Sequence, residues 1–117
     1  MKKISIVILI SIVFSNLSFA TEISKGKIIE SFDEISCISQ SHMKLALDYQ
    51  DKYIFKSKDS MDMARYRGSM SNLNCKSITE GMDLKVVRTI LLDKQLAEKK
   101  QIVLVKLPDG FTIWIAR

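Results

Sequence analysis

Apolar positions along this chain follow three different patterns. The first is a nearly continuous run, Ile4 to Phe14, broken only by Ser5 and Ser11. Lys2 and Lys3 precede it, and Ser18-Phe19-Ala20 follows. A short basic start, a brief apolar core and small residues three and one positions before Thr21 form the pattern of a bacterial Sec signal peptide. The core is shorter than the roughly 20 apolar residues that a retained membrane helix needs. No cysteine directly follows it, so a lipid anchor is not expected. The expected organisation is a signal peptide over residues 1–20 and a single small exported domain over 21–117, periplasmic or secreted. No stable membrane anchor is expected after cleavage.

The second pattern has helical spacing. Met43, Ala46, Leu47 and Gln50 recur at intervals of three and four within Ser39–Gln50, with Ser39 or Ser41 placed to cap the helix start. Tyr53-Ile54-Phe55 is aromatic and β-branched and predicts one brief strand. Lys56–Ser60 is polar and turn-like. Asp59 or Ser60 is placed to cap a second short helix carrying Met61, Met63, Ala64, Tyr66 and Met70, ended by Gly68 and Ser71–Asn74. Its methionines read as flexible core fillers.

The third pattern is β. Cys75–Ile78 and Leu84–Leu92 are rich in β-branched residues, and Leu84, Val86, Ile90 and Leu92 alternate, with Arg88 breaking the series. A helix over Leu84–Lys100 competes, but stiff Val86, Val87, Thr89 and Ile90 favour a strand. Asp93–Lys100 reads as a charged connection, either a loop or one helical turn. Ile102–Leu107 and Phe111–Ile115 flank Pro108-Asp109-Gly110, a turn in which proline fixes φ and glycine supplies the positive φ. The fold class is therefore α+β, with one or two short N-terminal helices beside a small antiparallel sheet.

Composition changes this picture in two ways. The chain has 18 basic and 13 acidic residues. Lys2 and Lys3 leave with the signal, so the 97 residues that remain carry 16 basic and 13 acidic side chains, a mild net +3. Nucleic acid is an unexpected partner for an exported protein, whereas anionic envelope material remains open. Cys37 and Cys75 are the only cysteines. In an oxidising compartment they predict one disulfide that pins the helical part to the β region.

The segments Gly81-Met82-Asp83-Leu84-Lys85-Val86-Val87 and Ile102–Ile115, with the Pro108-Asp109-Gly110 turn and Trp114-Ile115, resemble the closing half of bacterial SH3-like domains. Ile113 stands where that family usually has glycine, and the early Asn-Val-Arg-Ser-Gly-Pro-like strand is missing. The resemblance covers about a third of the exported domain. It implies a five-stranded, barrel-like sheet and a role in binding cell-wall peptide or a partner protein.

The residues able to carry chemistry are few. His42 is the only histidine, and a nucleophile pair with Cys37 would need that cysteine free. One histidine and two bridged cysteines make a poor metal site. Asp33–Glu34 and Asp59–Asp62 are carboxylate pairs, better read as caps or solvated faces than as a glycosidase pair. No catalytic residue, cofactor or metal is expected. Lys52, Lys56 and Lys58, with Arg65 and Arg67, form the densest basic stretch, read either as solvated charges around a loop or as a surface for headgroups, glycan phosphates or an acidic protein. Trp114 shares a strand face with Thr112, opposite Phe111, Ile113 and Ile115. It either stands out as a partner anchor, with Thr112 and the basic side chains around it, or packs under the N-terminal helix. Together these readings favour a non-catalytic periplasmic binding or accessory protein acting on an envelope protein or peptidoglycan. The competing expectation is a secreted inhibitor or immunity protein that blocks a partner's active site.

Overall fold

The computed structural model describes residues 21–117. The signal-peptide expectation falls on residues 1–20, outside the described residues. Six strands and two helices follow in the order β1 (Ile28–Glu30), β2 (Glu34–Cys37), α1 (Gln40–Gln50), a π-helical turn (Asp51–Phe55), α2 (Asp62–Met70), β3 (Cys75–Ile78), β4 (Asp83–Leu96), β5 (Lys99–Lys106) and β6 (Thr112–Ala116). The class is α+β. The helices are inserted between β2 and β3, so two strands precede them, contrary to the N-terminal placement expected.

The sheet is antiparallel throughout, in the order β1-β4-β5-β6-β2-β3, and curls into a half-barrel. Its two ends meet at Ser31, which is fully buried. The Ser31 N–H donates to Met82 O (2.8 Å), and Ser31 O accepts from Gly81 N (3.0 Å). Its hydroxyl donates to Thr79 O (2.7 Å) and accepts from Met82 N (2.8 Å). One side chain thus clasps the β1–β2 bend to the β3–β4 bend.

Both faces of the sheet are covered. Val103, Val105, Ile113, Ile115, Leu84, Val86 and Ile78 fill the inside of the curl. Ile102, Trp114, Ala116 and Cys37 face the other way and receive Met43, Ala46 and Leu47 of α1. The alternation in β4 changes phase between these layers. Val86 pairs with Val105, but Arg88 pairs with Leu104. The extra residue, Val87, is a β-bulge. Leu84 and Val86 therefore point into the curl, whereas Ile90, Leu92 and Leu96 pack on the helix side. A single apolar face along β4 was expected. The bulge divides it in two, because a one-residue shift moves every later side chain to the opposite face.

α1 matches its sequence pattern. Ser39 is the N-cap, its Oγ accepting from His42 N at 3.1 Å. Tyr53-Ile54-Phe55 does not form a strand. It continues the helix as the π-helical turn, closed by the Lys56 N–H donating to Asp51 O (2.9 Å). β-propensity reflects fit to a pleated, half-buried surface, and this run meets no sheet edge. At the start of α2, Asp59 Oδ1 accepts from the Met61 N–H (2.8 Å), while Asp62 in the first turn accepts from the Lys58 and Asp59 N–H groups of the preceding loop and Ser60 makes no cap. Met61 and Met63 are exposed rather than core-filling, and Met70 alone of the three packs on the core side.

Asp93–Lys100 is neither loop nor helical turn. β4 runs on through Leu96, and Leu96 pairs with Lys99 across a two-residue hairpin loop of Ala97 and Glu98. Both loop residues have left-handed φ, +48° and +64°. Such turns suit the twist of the strands but favour Asn-Gly over Ala-Glu. Glu98 is exposed, so Glu98→Gly should raise stability by about 0.5–1 kcal/mol, read from denaturant midpoints. A loss of stability would show that the Glu98 side chain contributes more than its backbone costs. The second hairpin agrees with its sequence: Gly110 has φ +96°, its N–H donates to Leu107 O (2.9 Å), and Leu107 N donates to Phe111 O (2.7 Å).

Cys37 and Cys75 stand directly opposite each other on β2 and β3 and form a disulfide. Among the described residues, no helix is long and apolar enough to cross a membrane.

Candidate functional site: a mixed-charge groove

The direct run of α1 into the π-helical turn, and the return through α2, folds residues 48–65 around an open groove of about 650 Å³. Lys94 of β4 closes one side. Lys52, Lys56, Lys58 and Arg65 all line it, so four of the five basic residues singled out in the sequence converge. Four carboxylates, Asp48, Asp51, Asp59 and Asp62, line it with them.

Asp51 is half-buried at the groove's base. Its Oδ1 accepts from the Ala97 N–H (3.0 Å), and its Oδ2 pairs with Lys56 Nζ at 2.9 Å. The Ala97 hydrogen bond, then Lys56, holds its pKa below the ordinary carboxylate value. This contact ties the π-helical turn to the β4–β5 hairpin.

Asp62 organises the opposite wall. Its Oδ2 accepts from Lys58 N (2.8 Å), Asp59 N (3.3 Å) and Ser57 Oγ (3.2 Å), while Oδ1 accepts from Arg65 Nη1 (2.7 Å). The Lys58 N–H, then Arg65, lowers its pKa from 3.8 to about 2. Arg65 also donates to both oxygens of Asp59 at 3.0 Å, and these bonds raise its own pKa, with Asp59 the larger cause. A carboxyl group held this far down is a poor general acid, which needs a raised pKa.

The depressed pKa of Asp62 has a consequence for stability. Its charged form is favoured by folding, so its contribution is full above the unfolded value near 3.8 and is lost as pH falls towards 2. Asp62→Asn should lower the melting temperature at neutral pH. The gap between variant and parent should close as pH drops from about 4 to about 2. A gap of constant size over that range would mean that the charge of Asp62 is immaterial.

Lys52, Lys58 and Lys94 have no ion pair among the described residues; Lys52 Nζ lies 5.2 Å from the Tyr53 ring centroid. The groove therefore presents three unpaired ammonium groups beside clamped carboxylates. Its lining contains neither histidine nor cysteine. Among the described residues, no three His, Cys, Asp or Glu side chains gather where a metal ion would fit.

The other sequence candidates lie elsewhere. Arg67 points away from the groove and lines a shallower one beside β3. Thr112 is exposed at the start of β6, outside the groove. Trp114 is 6% exposed, in one cluster with Met43 and Leu47. It is not a surface anchor. The alternation on β6 holds, but α1 covers the face that the anchor reading left open. His42 is a clasp, its Nδ1 accepting from Asn74 N at 2.9 Å. Asp33 accepts from Glu80 N, and Glu34 pairs with Arg117, so this carboxylate pair holds loops together. The acidic half of the groove and Lys94 were not anticipated. Asp48 and Asp51 lie three apart on one continuous helical stretch, a signal obscured by reading residues 53–55 as a strand.

No protein-family model, curated protein or solved structure matches the chain.

Proposed function

We propose that this chain is a non-catalytic binding or accessory protein of the bacterial periplasm, holding an envelope protein or cell-wall material in the mixed-charge groove. The observation that carries the reading is the set of three unpaired lysines beside four carboxylates, of which Asp51, Asp59 and Asp62 are held by hydrogen bonds and ion pairs. Exposed charges contribute only about 0–1 kcal/mol per pair to stability, so folding alone does not account for so many in one groove. Paired signs suit a ligand that itself carries carboxylates and ammonium groups, as protein segments and wall peptides both do. The signal-like first twenty residues and the disulfide support an oxidising, exported setting. The resemblance to SH3-like domains supports a peptide or wall ligand.

Lys52, Lys58 and Lys94 changed together to Glu should remove binding while leaving the fold intact. The protein, processed as exported, is cross-linked in periplasmic extract and separately pelleted with purified sacculi. A captured protein or sacculus binding, lost in the triple variant, supports the groove. Undiminished capture and pelleting by the variant would rule it out. A tight one-to-one complex that silences the captured protein would instead identify an inhibitor or immunity protein.

A further inference from the structure

A second surface has a different character. β3 is an edge of the sheet, paired on one side only, with β2. Its register is Ser36 with Lys76 and Cys37 with Cys75, and Ile38 N donates to Asn74 O at 3.1 Å. In an antiparallel ladder the hydrogen-bonded pairs alternate, so Ser36–Lys76 is bonded and Cys37–Cys75 is not. The N–H and C=O groups of Cys75 and Ser77 therefore point outward. Among the described residues, no loop or side chain bonds to them. Alongside runs a groove of about 400 Å³ between β3 and α2, its apolar wall made by Ile35, Tyr66 and Met70. Arg67 and Lys76 also line it, and neither is ion-paired among the described residues.

We propose that β3 receives an extended acidic segment of a partner protein, which adds to the sheet as a further strand along Cys75–Ser77. The proposal rests on the binding reading above and names the mode by which one partner is held. The outward backbone groups supply hydrogen bonds without regard to sequence, and alternate side chains supply selectivity. Apolar residues of the visitor lie against Ile35, Tyr66 and Met70. Its carboxylates, alternating with those apolar residues, meet Lys76 on the other face of the strand.

Charge decides between occupants. A second copy of this chain would use the same four outward groups on each side. That register pairs Cys75 with Ser77 and puts Lys76 directly opposite Lys76, a destabilising like-charge contact. An acidic strand replaces the repulsion with attraction. A lone lysine on a short edge strand also serves to keep other strands away, and the test separates that role from docking.

The probes are a short alternating Glu–Val peptide and its Lys–Val counterpart, added to the disulfide-bonded protein. Titration by fluorescence anisotropy should show saturable binding of Glu–Val only. Hydrogen exchange should show the Cys75 and Ser77 amides newly protected, with the Lys76 amide protected beforehand. Ser77→Pro deletes one outward donor without touching the β2 ladder, and proline is tolerated at such an edge position. It should weaken binding about threefold to tenfold. Lys76→Glu leaves the backbone groups in place. It should reverse the preference, so that Lys–Val binds and Glu–Val does not. This variant gives the answer even if Ser77→Pro fails to fold. The proposal is overturned if Glu–Val does not bind, or if Lys76→Glu leaves the preference unchanged. It is also overturned if protection falls on residues 48–65 instead, a result that leaves the mixed-charge groove standing.

Discussion

Trp114→Ala should destabilise the domain by about 3–5 kcal/mol, the range for deleting a buried aromatic side chain. Trp114 sits on β6 between Cys37 of β2 and Leu104 of β5, with Met43 and Leu47 of α1 in the same cluster. Its removal takes the largest side chain from the layer that joins α1 to the sheet. The neighbours that would have to collapse into the space are pinned: Cys37 by its disulfide, and Leu104 by the central ladder. Chemical denaturation of variant and parent measures the effect directly. The variant should unfold at a much lower denaturant midpoint than the parent, since a small domain has only about 5–10 kcal/mol in total. Trp114 is the only tryptophan, so its emission offers a second check. Blue-shifted, quencher-resistant fluorescence that moves red on unfolding is expected. An unchanged midpoint in Trp114→Ala would contradict the packing described above.

The elements that could be read from the sequence are those set by local chemistry. Met43, Ala46 and Leu47 recur at helical spacing, and these are the buried residues of α1. Pro108-Asp109-Gly110 has the residues its turn requires, and the turn is there. The cysteine pair is joined. What could not be read depends on tertiary partners. Tyr53–Phe55 has strand residues but no strand to pair with, so it follows α1 instead. Val87 is an ordinary strand residue, yet its bulge decides which layer Ile90 and Leu92 enter. Ala97-Glu98 lacks the glycine or asparagine of a tight hairpin, yet Leu96 pairs with Lys99 across it and Asp51 holds the Ala97 N–H. The same division holds at the candidate site. Lys52, Lys56, Lys58 and Arg65 were visible as a basic stretch. The carboxylates that turn a basic patch into a mixed-charge groove were not, because Asp48, Asp51 and Asp62 acquire their roles only when helix, hairpin and loop meet. Trp114 fell on a correctly predicted face, and only the position of α1 could show that the face was covered.

Replacing both cysteines by alanine should cost about 4 kcal/mol in the chain-entropy account, since the bridge closes a loop of 38 positions in the unfolded chain. That is roughly 40–80% of the about 5–10 kcal/mol a domain of this size has to lose. Native geometry adds to the cost, because Cys37 is fully buried against Trp114 and its sulfur fills part of that layer. The closed loop contains α1, the π-helical turn and α2, and therefore every residue of the mixed-charge groove except Lys94. α2 itself buries little besides Asp62, so packing alone restrains it weakly. Opening the bridge should accordingly lower the melting temperature of the whole domain and loosen the groove first. Hydrogen exchange should accelerate across residues 51–70 before the β4–β5–β6 ladder is affected. The matched measurement is melting of the parent and the double-alanine variant, each with and without reductant. Reductant should bring the parent down close to the variant and leave the variant where it is. If the two proteins melt together under oxidising conditions, the bridge is dispensable and the helix–sheet layer alone holds the domain.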